Sequence, residues 1–195
     1  PAGDVYVCDW ANNRVQVNIA AFFYDYTDFQ ARLIIQNASV VENAADTEIF
    51  GLEVETLMVP VDGLELRAGI SWMDSEYKDF MTDNPMTPDP MLEDASGNQT
   101  LRAPDFSLNA SVQYAFNTDL GEFRLRYEVS HKDGYFTTVF NDDFSEIPKH
   151  TVQNVRLLWD SGRNWEVGAF VENLSDEEYV DQLLQAPTIG GVEGI

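Results

Sequence analysis

Cysteine, histidine and basic residues are all scarce in this sequence. There is one cysteine, Cys8, and there are two histidines, His131 and His150, which stand far apart. These numbers exclude an internal disulfide and a zinc site built from clustered Cys and His. Only 11 Lys and Arg stand against 34 Asp and Glu, for a formal charge of -23. Because phosphate binding needs clustered basic residues, this balance argues against nucleic acid as a partner.

Long apolar runs are also absent. No window of about 18 apolar residues exists, so the sequence predicts no transmembrane helix, although barrel strands would escape this test because they alternate. Residues 1–9 have neither the basic start nor the apolar core of a signal peptide. We therefore expect residues 1–195 to be a partial domain of a longer exported protein. An apolar fraction of 44% excludes a disordered composition.

Apolar residues recur with a period of two along most of the chain. Side chains alternate between the two faces of a strand, so each such segment has one apolar and one polar face. The segments are 15–35, 50–58, 64–72, 105–116, 123–130, 154–159 and 165–172. A helical period of 3.6 fits none of them as well, and the sequence therefore predicts an all-β fold of about seven strands.

Short and long connections alternate between these segments. The short ones, 60–63, 117–121 and 160–164, are rich in Gly, Asp and Asn, as tight turns require. The long ones cover about 37–47, 79–103 and 140–149, and the prolines of the second exclude regular structure there. Short turns at one end and long loops at the other are typical of an outer-membrane barrel.

Strand length and aromatic placement favour a membrane barrel over a soluble sandwich. Segment 15–35 would extend roughly 65 to 70 Å, far beyond a soluble strand of about five or six residues. Aromatic residues lie where a membrane interface would attract them: Tyr114, Phe116, Phe123, Trp159 and Trp165 beside the short turns, and Trp72 toward the other end. We predict an antiparallel transmembrane β-barrel fragment, a meander of about seven consecutive strands. In the alternative, a β-sandwich, these rings would cap a core.

Several segments resemble the late barrel strands of TonB-dependent receptors. In chain order they are 12–18 (NNRVQVN), 22–30 (FFYDYTDFQ), 44–55 (AADTEIFGLEVE) and 103–107 (APDFS). The most specific segment, 171–179 (VENLSDEEY), is similar to the family's N-L-x-D-x-x-Y motif, through Asn173, Leu174, Asp176 and Tyr179. Two parts depart from the family: residues 1–10 do not look like its usual preceding strand, and no closing strand with a terminal aromatic residue is present.

The resemblance implies a barrel of about 22 strands closed by an N-terminal plug. Residues 1–195 would then be a partial barrel domain without the plug, the earlier strands and the closing strand. The implied function is active import of a scarce nutrient through the outer membrane of a Gram-negative bacterium, with a ferric siderophore as the leading ligand. TonB would act through an N-terminal segment outside this chain, and outer-membrane lipid and lipopolysaccharide would surround the barrel. We expect no cofactor and no enzymatic activity.

Two other functions stay open beside this one. A plug-less, porin-like passive channel would share the barrel, and the motif at 173–179 weighs against it. A soluble β-sandwich module that binds carbohydrate would dissolve without detergent, and strand length together with the apolar outer face weighs against it.

Charged residues on the polar faces are predicted to form a lumen wall. They are Glu53, Glu55, Glu65, Arg67, Arg124, Arg126, Glu128 and Arg156. They would contact the plug or the substrate, or simply pair across strands in a wet lumen. Glu53 and Glu55 would lie about 6 to 7 Å apart along one face, a spacing that also suits a glycosidase. Such pairs arise often by chance, and no other catalytic motif or zinc motif occurs, so we predict no catalytic or metal-binding residue.

The long-loop ends carry aromatic residues that the resemblance assigns to ligand contact. They are Tyr77, Phe80, Tyr135, Phe136 and Phe140. They would equally suit an outer aromatic girdle. The long loops are also acidic, and their carboxylates would bind Ca²⁺ weakly or hold the divalent cations that bridge lipopolysaccharide, unless they are only a solvated surface.

Overall fold

The computed structural model describes residues 2–10, 14–27, 30–35, 38–43, 46–84, 92–180 and 183. All regular structure in these ranges is β. The strands are β1 Ala2–Trp10, β2 Val15–Tyr26, β3 Gln30–Ile35, β4 Ala38–Asn43, β5 Thr47–Met58, β6 Leu64–Tyr77, β7 Met81–Asp83, β8 Leu92–Asp94, β9 Phe106–Thr118, β10 Gly121–Lys132, β11 Tyr135–Phe136, β12 Glu146–Ile147, β13 His150–Asp160 and β14 Glu166–Val171. The described ranges contain no helix long and apolar enough to cross a membrane.

One antiparallel meander dominates the fold. Its strand order is β1-β2-β5-β6-β9-β10-β13-β14, so each strand pairs with the next long strand along the chain. The remaining strands form three separate hairpins, β3-β4, β7-β8 and β11-β12, each within a long connection. Contacts between described elements occur only within these pairings, which leaves no second sheet packed face to face on the meander. The predicted all-β antiparallel meander is confirmed, and this arrangement is not that of a β-sandwich.

The meander has eight strands among the described residues, one more than the sequence predicts. The additional strand is β1, which pairs along its whole length with β2, from Ala2 opposite Phe23 to Trp10 opposite Val15. Sequence analysis missed it because apolar residues occupy both alternating positions between Val5 and Cys8, so the period of two is weak there.

The predicted single segment 15–35 is wrong, because β2 ends at Tyr26. Thr47 is the first residue of β5 and lies opposite Tyr26, so β2 has no partner beyond that point. Residues 30–35 instead pair with 38–43 as a hairpin, whose alternation continues that of β2. Irregular structure was predicted for 79–103, and β7 and β8 pair there. The prolines at 85, 88 and 90 lie between these strands, outside the described residues.

The register sorts the side chains onto two faces. On one face, Val15, Met58, Leu66 and Val112 lie opposite one another across four strands. An aromatic row follows nearer the short turns, with ring centroids 5.6 Å apart for Phe116 and Phe123 and 6.4 Å apart for Phe123 and Trp159. The opposite face is polar. This separation is what a barrel wall requires, since one face meets lipid and the other meets the lumen.

Candidate functional site

The polar face of the meander brings together all eight charged residues predicted for the lumen wall. Glu55 lies opposite Gly69, which shares its face with Glu65 and Arg67. The row continues from Arg67 through Ser111 to Glu128. Arg126 then lies opposite Arg156. The charged wall therefore extends from β5 to β13 without changing face, and its role toward a plug or a substrate stays a prediction.

Ion pairs on this wall form along the strands rather than across them. Arg67 contacts Glu65 at 2.7 Å, Arg124 contacts Glu122 at 2.7 Å and Arg126 contacts Glu128 at 2.8 Å. Cross-strand pairing was the sequence-based alternative, and these three contacts instead join residues i and i+2. Sequence analysis missed Glu122, although the alternation of Glu122 with Arg124 signals it.

The glutamates of β5 differ from the others because the described residues offer them no cation. Glu55 accepts one hydrogen bond, from the side-chain amide of Asn18 at 3.4 Å. Glu55 borders an open trough of about 650 Å³ on the polar face, whose lining is mostly polar: Gln16, Asn18, Arg67, Asn109, Ser111, Arg126, Glu128, Ser130 and Asn154. The trough has room for a peptide segment or a small solute. Within the described ranges, no cluster of three or more His, Cys, Asp or Glu residues could hold a metal ion.

The loop aromatics divide into buried and partly buried side chains. Tyr77 and Phe80 are fully buried, with ring centroids 5.1 Å apart, and pack with Ala95 and Val139. Tyr135 is also buried. The remaining two, Phe136 and Phe140, are only half-buried. Ligand contact stays a prediction for all five, and burial assigns Tyr77 and Phe80 a packing role in this structure.

This packing joins two long loops into one body, which we call the loop unit: residues 78–84, 92–105 and 133–149. The Asn98 side-chain amide donates to the Val139 carbonyl at 2.8 Å. The Asn141 side-chain amide donates to the Gln99 carbonyl at 3.2 Å. The Arg102 N–H donates to Phe136 O at 2.9 Å. Side-chain amides thus satisfy carbonyls that strand pairing would otherwise occupy.

Charge on the loop side of the sheet perturbs two titratable groups. Lys78 contacts Glu48 at 2.9 Å and also contacts Glu76, and these hydrogen bonds hold the pKa of its ammonium above the usual range. Partial desolvation of the Asp105 carboxyl raises its pKa, against a hydrogen bond from Gln99. The nearby carboxylates of Asp74 and Asp133 raise the pKa of Asp105 further.

Sequence analysis missed a row of three aromatic side chains on the polar face, which we call the aromatic ladder: Phe22, Tyr24 and Tyr26. Their ring centroids are 5.2 Å and 5.7 Å apart along β2. The ladder lies at the long-loop end of the strand, where β2 meets Thr47 and Ile49 of β5. Aromatic residues at every second position of a polar face were the available signal.

The segment similar to the N-L-x-D-x-x-Y motif forms a turn that attaches the chain to β13. Asn173 has a φ of 52°, a left-handed conformation that asparagine adopts more readily than most residues. Its side chain donates to Glu177 O at 3.0 Å and accepts from the Glu177 N–H at 2.9 Å. The Leu174 N–H donates to the Gln153 carbonyl at 2.7 Å.

Tyr179 completes this turn by stacking on His150, with ring centroids 4.7 Å apart. Asp176 has a φ of 53°, and its N–H donates to Asn173 O at 2.9 Å. The geometry therefore explains the asparagine, the aspartate and the tyrosine of the motif as parts of a turn that holds a strand end.

Comparison with known proteins identifies the same architecture. The family model described as TonB dependent receptor-like, beta-barrel, matches residues 6–174. The ferric yersiniabactin uptake receptor FyuA from Yersinia pestis matches 91% of this chain at 19% identity, with a TM-score of 0.71, over 25% of its own length. The siderophore receptor PiuA from Acinetobacter baumannii matches 91% at 17% identity, with a TM-score of 0.72, over 24% of its length.

A copper transporter, OprC, also matches 91% of the chain at 14% identity, with a TM-score of 0.63, over 24% of its own length. This chain therefore spans about a quarter of the length of the solved structures that it matches. At these identities the likeness shows the fold, and the family match over residues 6–174 shows the membership. The chain belongs to the TonB-dependent receptor family, in its β-barrel domain.

Proposed function

We propose that the whole protein imports a scarce nutrient, most plausibly a ferric siderophore, across the outer membrane by TonB-driven transport. The observation that carries this proposal is the family match over residues 6–174. Two structures of the same fold are entitled as a ferric yersiniabactin uptake receptor and a siderophore receptor. A third is entitled as a copper transporter, so the ligand class needs a direct test.

Residues 1–195 are, in this proposal, part of one barrel domain of about 22 strands. The apolar face of the meander would contact lipid, and the end with the loop unit would face outward among lipopolysaccharide. TonB would engage a segment outside this chain. Enzymatic activity is not part of the proposal.

The aromatic ladder and the half-buried rings of Phe136 and Phe140 would supply ligand contacts at the outer end. Tyr26 is 40% exposed at the top of the ladder. Stacked rings present flat apolar faces with polar hydroxyl edges, which suits a planar aromatic chelate. Tyr77, Phe80 and Tyr135 would support these contacts by fixing the loop unit from inside.

The test is uptake by cells that express the intact gene, compared with cells that lack it. The probes are ⁵⁵Fe-loaded catecholate and hydroxamate chelators and a copper salt, each with and without TonB. We expect gene-dependent accumulation of at least one iron chelate that stops when TonB is removed. Accumulation that continues without TonB would indicate a passive channel, and copper uptake alone would replace the siderophore with a metal ion.

A further inference from the structure

Two arginines face each other on the polar side of the sheet. Arg126 of β10 and Arg156 of β13 are direct partners in the antiparallel register. Residues in such positions have Cβ atoms about 4.5 to 5.5 Å apart, and like charges at this distance destabilise a sheet. The chain has only 11 basic residues against 34 acidic ones. An arginine pair in so acidic a chain requires a physical explanation.

The neighbouring carboxylates do not neutralise this pair. Glu128 contacts Arg126 at 2.8 Å, and Glu122 contacts Arg124, the third arginine of the cluster. Arg156 has no carboxylate partner in the described part of the chain, and its guanidinium lies 5.9 Å from the centre of the Phe170 ring. The cluster of three arginines and two glutamates therefore keeps one uncompensated positive charge.

A hydrogen-bond donor in this cluster is also unused. The Nε atom of Arg126 is buried and has no hydrogen-bond partner among the described residues. A buried N–H without an acceptor is destabilising, and native structures rarely leave one unpaired. Arg126 also borders the open trough of about 650 Å³, so an acceptor has a route to the cluster.

We propose that an oxyanion, either a carboxylate or a phosphate, binds on the wall between the guanidinium groups of Arg126 and Arg156. A guanidinium presents paired N–H donors in a planar fork that matches two oxygens of such a group. The bound anion reverses the electrostatic effect of the pair, because each arginine then faces a negative charge. This site does not depend on which nutrient the protein transports.

The oxyanion has two possible sources with the same chemistry. One is an Asp or Glu carboxylate from another segment of the same polypeptide that docks on this face. The other is free inorganic phosphate. Both would place oxygens against the same pair of arginines, so the source is decided by experiment.

The sign of a stability change tests the site. In the whole protein, purified in detergent, Arg156→Gln removes one arginine and leaves the ion pair of Arg126 with Glu128 intact. Without an anion, this substitution relieves repulsion and raises the unfolding temperature. With an anion, it removes a ligand contact, and we expect the unfolding temperature to fall by about 2 to 4 °C for each kcal/mol lost.

The matched control is Arg14→Gln, which removes the same charge from an exposed ion pair with Asp62 beside a short turn. An unfolding temperature of Arg156→Gln at or above that of Arg14→Gln would overturn the proposal. Arg156→Lys, which keeps the charge without the fork, should lie between native protein and Arg156→Gln.

Titration with inorganic phosphate, at constant ionic strength with chloride, separates the two sources. If free phosphate is the ligand, it raises the unfolding temperature of the native protein and leaves Arg156→Gln unchanged. If the ligand is a carboxylate of the same polypeptide, phosphate changes neither protein, and the deficit of Arg156→Gln persists in phosphate-free buffer.

Discussion

Phe80 is 1% exposed at the centre of the loop unit, in contact with side chains from both long loops. Phe80→Ala would leave a cavity there and should destabilise the loop unit by about 3 to 5 kcal/mol. Hydrogen exchange measures this locally, for example at the Ala95 N–H that donates to Phe80 O at 2.8 Å. The matched control is Phe144→Ala, because Phe144 is 85% exposed and should change stability by less than about 0.5 kcal/mol. Equal exchange rates in the two variants would contradict a packed loop core.

Asp105 makes the stability of the loop unit depend on pH. Its pKa is raised above 3.8 in the folded chain by desolvation and by Asp74 and Asp133. An acid with a raised pKa favours folding while protonated, and this contribution is lost as pH rises from the unfolded pKa through the folded one. Asp105→Asn should therefore raise the exchange protection of the loop unit at pH 7 and leave it unchanged near pH 3.

The control for this pH effect is Asp143→Asn, which removes the same charge from an exposed position of the loop unit. The asparagine at position 105 still accepts from the Gln99 amide, which lies 2.6 Å from the Asp105 carboxylate. A gain in protection of equal size at both pH values would assign the effect to something other than ionisation.

At the scale of single elements, the period of two was sufficient to predict most long strands. In β9, every second residue from Phe106 to Phe116 is apolar, and the structure places that set on one face. The same signal was insufficient at Tyr26, where alternation continues beyond the end of β2. Strand ends depend on the partner strand, and the position of Thr47 opposite Tyr26 is a long-range property that local alternation does not contain.

The candidate site shows the same division between local and long-range information. Charges at positions i and i+2 share a face in any strand, so the wall from Glu53 to Arg156 could be predicted. Burial of Tyr77 depends instead on a second loop, more than fifty residues later, that supplies Val139. The opposition of Arg126 and Arg156 likewise depends on register, which is set by the length of the turn between β10 and β13 and the loop it contains.

Adjacent residues of β9 give a direct test of which face meets lipid. Ala110 lies opposite Ala68 and Val129 on the apolar face, and Asn109 lies opposite Gly69 and Ser130 on the polar face. Ala110→Arg should cost about 2 to 4 kcal/mol in lipid vesicles, because a charge near the middle of the bilayer is poorly solvated.

Asn109→Arg, the control for that substitution, should cost about 1 kcal/mol, for the lost hydrogen bond from Ser130 to Asn109. Urea unfolding of the whole protein in vesicles measures both. If the Asn109 variant were the less stable of the two, the assignment of the faces would be reversed.

At the scale of the whole molecule, this meander leaves both of its outer edges open. Among the described residues, β1 pairs only with β2, and β14 pairs only with β13. Unpaired strand edges invite association with other chains, and a membrane tolerates no open edge. Apolar side chains of the outer face add to this, with Ile70 40% exposed and Leu125 47% exposed.

The 195-residue chain expressed alone should therefore aggregate in water, because open edges and an apolar face act together. Size-exclusion chromatography after cell lysis measures this, with the whole protein refolded in the same detergent as the control. In the whole protein the further strands of the barrel would pair both edges, and we expect a monodisperse species there. A soluble, monodisperse monomer of the 195-residue chain without detergent would show that the sheet closes on itself, and it would remove the argument that β1 and β14 require partners from the rest of a barrel.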